Sequence, residues 1–93
     1  MRLFNTELHA LSTVAKVVGY QIGLSGDEVV ELYKWLRELV SKRASTHSEA
    51  RRLIRVVSLV GDEFLARGVN NVEIFKEMVR KAVGGQLRVK ETV

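Results

Sequence analysis

The sequence predicts an all-α fold, a small antiparallel four-helix bundle with short loops and a flexible C-terminal tail, on three observations. Apolar residues recur at spacings of three and four in four separate segments, each segment is bracketed by helix start and stop signals, and the connections between them are about three or four residues long. With 93 residues, 46% of them hydrophobic and 28% charged, the chain suffices for one domain with one core, and a deep ligand cavity is disfavoured. It has no cysteine, which removes disulfides, thiol nucleophiles and thiolate metal sites from consideration.

In the first segment Phe4, Leu8, Leu11, Ala15, Val18 and Ile22 form a helical seam, stopped by Gly23 with Leu24 as the following hydrophobic contact. The second opens on Ser25-Gly26-Asp27-Glu28, an S-x-x-E capping box, and buries Val29, Leu32, Tyr33, Leu36, Leu39 and Val40. Another capping box, Thr46-His47-Ser48-Glu49, starts the third, whose apolar face is Leu53, Val57, Val60 and Phe64 before Gly68. The fourth starts at Asn70, carries Phe75, Met78, Val79 and Ala82, and ends at Gly84-Gly85. The expected helices lie near 5–22, 26–43, 47–67 and 71–83, so that residues 1–83 form a single helical domain and 84–93 a tail. In that tail Leu87, Val89 and Val93 share a strand-like parity, but a lone strand has no partner in the chain and the segment reads as a frayed terminus. Gly19 and Gly61 fall inside helices, where glycine costs about 1 kcal/mol against alanine; each marks a close helix crossing or, at Gly61-Asp62, a break.

Connections this short turn consecutive helices antiparallel, which gives the up-down-up-down order. No run approaches the roughly 18 apolar residues of a membrane span, and the opening Met1-Arg2-Leu3-Phe4 lacks the apolar core of a secretion signal. The expectation is a cytoplasmic protein without membrane contact. Fifteen Val, nine Glu and nine Arg against two Gln resemble the usage of heat-adapted proteins, whereas the absence of proline points mildly the other way.

The formal net charge is +4 and the pI about 9.8, and the excess is local. Between Val40 and Ser58, Lys42, Arg43, Arg51, Arg52 and Arg55 face one acid, Glu49; elsewhere ten basic residues balance ten acidic ones. This window spans the end of helix two and the first turns of helix three, where free backbone N–H groups and the helix dipole favour an anion. Arg51, Arg52 and Arg55 share one arc at ~100° per residue, opposite Leu53, Val57 and Phe64. Ser45 and Thr46 add neutral donors beside them. The pattern suits a phosphate or a run of nucleic-acid backbone, read without sequence specificity; the plainer alternative is a solvated face in which Lys42 pairs with Glu38 and Glu49 serves only as a cap. No aromatic residue falls inside the window, so base stacking is not expected from the sequence.

Helix one carries a second apolar stripe, Leu3, Ala10, Val14 and Val17, beyond what one seam needs. Leu3, Val14 and Val17 are therefore the candidate interface with a protein partner or a second copy, unless helix one is covered on both sides within its own chain.

Catalysis is not expected. His9 and His47 belong to no metal-ligand spacing, no nucleophile elbow or glycine-rich phosphate loop occurs, and the Asp27-Glu28 and Asp62-Glu63 pairs point ~100° apart on a helix. No cofactor, metal or small-molecule substrate is expected. The sequence reads as a non-catalytic helical subunit of a nucleoprotein assembly. The alternatives are a protein-interaction or dimerisation module without nucleic acid, and a helix-turn-helix DNA-binding regulator, which a break at Gly61 would favour.

Overall fold

The computed structural model describes the backbone of residues 1–92 and the side chains of residues 1–84. Among them the chain forms four helices and no strand: α1 (Asn5–Gln21), α2 (Gly26–Arg43), α3 (His47–Ala66) and α4 (Val72–Thr92). Helix α3 packs against all three of the others, and α1 also packs along α2. No helix is long and apolar enough to cross a membrane among the described residues.

The two predicted capping boxes form, at Ser25 and at Thr46. Ser25 Oγ accepts from the Glu28 N–H at 3.2 Å while the Glu28 carboxylate accepts from the Ser25 N–H at 2.9 Å. That backbone bond, seconded by the Ser25 hydroxyl, holds the Glu28 carboxyl below its ordinary 4.5. A carboxyl depressed by folding contributes stability above its unfolded value, and the contribution disappears as pH falls through the folded one. Glu28→Gln is accordingly expected to flatten the acid limb of a stability-against-pH curve below 4.5, measured by denaturant titration; an acid limb identical to wild type would contradict the cap's role. At the other end of α1, Gly23 adopts φ +83°, and the Leu24 N–H donates to the Gly19 carbonyl at 2.9 Å, closing the helix as the sequence predicts.

Two expectations about the ends of α4 are corrected, and the alternative left open at Gly61 is decided. Helix α4 does not end at Gly84-Gly85 but continues to Thr92: glycine lowers helix propensity without removing an N–H or a carbonyl, so the backbone ladder is not interrupted there. The side chains of the segment expected to be a flexible tail lie outside the described residues from 85 onward. The cap of α4 is Asn71 rather than Asn70, with its Oδ1 accepting from the Glu73 N–H at 2.9 Å. Helix α3 is continuous through Gly61, so the break that would have shortened it to helix-turn-helix proportions is absent.

The apolar stripes supply the core. Leu11, Ala15 and Val18 of α1, Leu36 and Val40 of α2, Val57 and Phe64 of α3, and Phe75, Val79 and Val83 of α4 are fully or almost fully enclosed. Phe64 meets Phe75 with ring centroids 5.4 Å apart at 59°, a tilted arrangement of the kind aromatic pairs favour. Phe4 departs from its expected place in the seam of α1: it precedes the helix and stands 53% exposed.

Both internal glycines mark close contacts. A Cβ on Gly61 would lie 3.2 Å from Val18 Cγ2, and one on Gly19 would lie 2.7 Å from Val29 Cγ2 and 3.4 Å from Leu24 Cδ1. Val29 is buried, and a β-branched side chain has no low-energy rotamer with which to retreat. Gly19→Ala should therefore destabilise by about 1–2 kcal/mol, because overpacking outweighs the roughly 1 kcal/mol that alanine gains in helix propensity. Chemical denaturation checks this, and a stabilised variant would show that α2 can give way at this crossing.

Candidate nucleic-acid interface

The end of α2, the connection 44–46 and the first turns of α3 make one continuous stretch of chain. Lys42, Arg43, Arg51, Arg52 and Arg55 are all exposed on it. Arg51 and Arg55 stand four residues apart, one above the other on α3, and Arg52 lies ~100° round the helix from Arg51. Their exposure follows from the opposite face, where Leu53 and Val57 are drawn into the core.

Among the described residues, none of these five cations is in an ion pair. Lys34, Arg67, Lys76 and Arg80, by contrast, pair with Glu31, Glu63, Glu73 and Glu77. Lys76 and Arg80 additionally stand 5.5 and 5.3 Å from the centroid of the Trp35 ring, and Arg37 stands 5.7 Å from that of Tyr33. Glu49, the single acid of the basic window, is engaged in the cap of α3: its Oε1 accepts from the Ser45 N–H at 2.9 Å and the Thr46 N–H at 3.2 Å. The Thr46 hydroxyl in turn accepts from the Glu49 N–H at 3.1 Å.

The backbone N–H groups of Ser45 and Thr46 thus bind the protein's own carboxylate, so that of the donors at this helix start it is the hydroxyl O–H groups, beside the guanidinium and ammonium groups, that could meet an anion. Residues far away in sequence join the surface. The Met1 ammonium donates to the Ser41 carbonyl at 2.8 Å, and the Ser41 hydroxyl donates to the Met1 carbonyl. Arg2 is thereby brought beside the last turns of α2, where it borders a recess of about 370 Å³ shared with Arg37, Glu38 and Lys42.

The junction of α1 and α3 is built on Glu7, the one buried acid among the described residues, 3% exposed. Its Oε1 accepts from the Phe4 N–H at 2.7 Å, and its carboxylate receives His47 Nδ1 at 3.0 and 3.2 Å. The Phe4 ring lies flat on the His47 ring, centroids 3.5 Å apart and planes within 8°. His47, expected to be an ordinary surface residue, is thus a half-buried member of this cluster. The sequence carries half a signal for it: Glu7 stands where the acid of a capping box belongs, but phenylalanine has no acceptor with which to answer. Nothing in residue spacing announces a pairing across forty positions.

The expected interface residues divide. Leu3 is corrected: it is buried at 9% against the protein's own core, because the chain before α1 folds back along α2. Val14 is half-buried at the close approach to Gly61, whereas Val17 remains 53% exposed beside a recess of about 180 Å³ between α1 and α3. Val30, Leu59 and Ile74 are exposed too.

Comparison with protein-family models, curated proteins and solved structures finds no match to the chain.

Proposed function

We propose that the protein is a non-catalytic helical subunit of a nucleoprotein assembly, touching nucleic-acid backbone through Lys42, Arg43, Arg51, Arg52 and Arg55 without reading base sequence. The bundle behind this surface is antiparallel in the proposed arrangement. Two contacts support that order: the start of α1 meets both the end of α2, through Met1 and Ser41, and the start of α3, through Glu7 and His47.

One observation carries the functional reading. Five exposed cations stand on adjoining helix ends, and none is neutralised by a carboxylate among the described residues. Their fields add, and a polyanion that docks there releases its own condensed counterions, which is the main drive of sequence-indifferent binding.

Fluorescence anisotropy of labelled DNA and RNA, single- and double-stranded, across a salt series tests it. The expected result is binding to all of them at low salt, with affinity falling on a log–log plot by about 0.7–0.9 for each phosphate neutralised. Absence of binding to every nucleic acid at low salt would overturn the reading.

A further inference from the structure

We infer that the Phe4–His47 stack is a platform for the base of an unpaired nucleotide, so that the protein grips single-stranded nucleic acid by a base as well as by its phosphates. The inference rests on the proposed backbone contact and goes beyond it. From sequence, the basic window holds no aromatic residue; folding brings one in.

A ring stacked at 3.5 Å and 8° on its neighbour has one face occupied and one face left. Phe4 is 53% exposed, so much of its surface remains open to water despite the stack. An open recess of about 400 Å³ adjoins it, bordered by Arg2, Leu3, Phe4, Asn5 and His47. A nucleobase is a flat π surface that displaces this water readily, and each base stacked on a protein aromatic ring contributes about 1–3 kcal/mol.

The platform is held ready beforehand. Glu7 fixes both members at once, through the Phe4 N–H and His47 Nδ1. Its two bonds set the backbone at Phe4 and the plane of the imidazole, so little freedom is lost when a third ring joins the stack. A structural cap alone would not require an exposed flat ring here, since Phe4 contributes no acceptor to the helix start.

The charges around it sit where the phosphates of a stacked nucleotide would run. On one side Arg2 borders this recess and also the neighbouring one, which reaches Arg37 and Lys42. On the other, His47, Arg51 and Arg55 follow one another at four-residue intervals, on consecutive turns of the same face of α3. A strand crossing the end of the molecule therefore meets cations, the ring pair, and cations again. Duplex DNA keeps its bases stacked on one another and could use only the charges.

The experiment compares wild type, Phe4→Ala, Phe4→Leu and Phe4→Trp for binding to oligothymidylate, oligouridylate, duplex DNA and inorganic polyphosphate at one salt concentration. Loss of the ring is expected to weaken both single-stranded ligands by about ten-fold or more, to leave duplex and polyphosphate within about two-fold, and to be rescued by Phe4→Trp. The two oligomers show whether the platform accepts DNA, RNA or both. Phe4→Leu keeps apolar bulk without a π face, so it separates stacking from a packing defect should the alanine variant be destabilised. Equal weakening of all four ligands, or no change in any, would overturn the inference while leaving the backbone contact in place. Failure of the wild type to bind even polyphosphate would remove both.

Discussion

Reversing Arg51, Arg52 and Arg55 together to glutamate should lower affinity for nucleic acid by about 100-fold or more at ~0.1 M salt and shallow the salt dependence by roughly two to three on the log–log slope. Each cation that neutralises a phosphate releases close to one counterion, so at this salt its loss costs slightly under ten-fold, and three losses multiply. Reversal adds repulsion to removal. The fold should survive, because all three side chains are exposed and have no carboxylate partner among the described residues; surface changes of this kind usually stay within about 0.5 kcal/mol. Anisotropy titrations beside a thermal melt check both halves of the statement. An unchanged slope in a folded variant would mean that the helix α3 face is merely solvated.

Phe64→Ala should lower the free energy of unfolding by about 3–5 kcal/mol, a large share of the roughly 5–15 kcal/mol typical of a domain. Phe64 is completely buried on the helix that touches all the others, and its ring closes against Phe75 at 5.4 Å. Truncation therefore opens a void that no single neighbour can fill, and the aromatic pair is lost with it. Urea denaturation should show a lower midpoint with an unchanged slope. A loss under about 1 kcal/mol would indicate that α4 collapses into the space, which the cavity dependence of such substitutions allows for mobile elements.

Periodicity and end signals made most of the fold legible. The stripes through Leu11, Leu36, Val57 and Val79 are buried as their spacing requires, and the boxes at Ser25 and Thr46 close the helices they announce. The end of α4 was not legible, because a glycine pair weakens a helix and terminates one only when the chain turns into a left-handed conformation, as at Gly23. The exposure of the basic side chains was likewise implied by the apolar face opposite them. What local pattern could not show is which distant residues arrive beside them. Arg2 and Phe4 reach the start of α3 through Met1–Ser41 and Glu7–His47, contacts set by how whole helices pack. A composition window fixed on residues 40–58 therefore sees the cations and misses the ring.

Trp35 is the sole tryptophan of the chain, half-buried on α2 with Lys76 and Arg80 of α4 held over its face. Its fluorescence is thus a native gauge of whether the last helix is seated, with no label attached. Emission that shifts ahead of the loss of circular dichroism on heating would mark undocking of α4 as a separate event preceding the collapse of the remaining three helices.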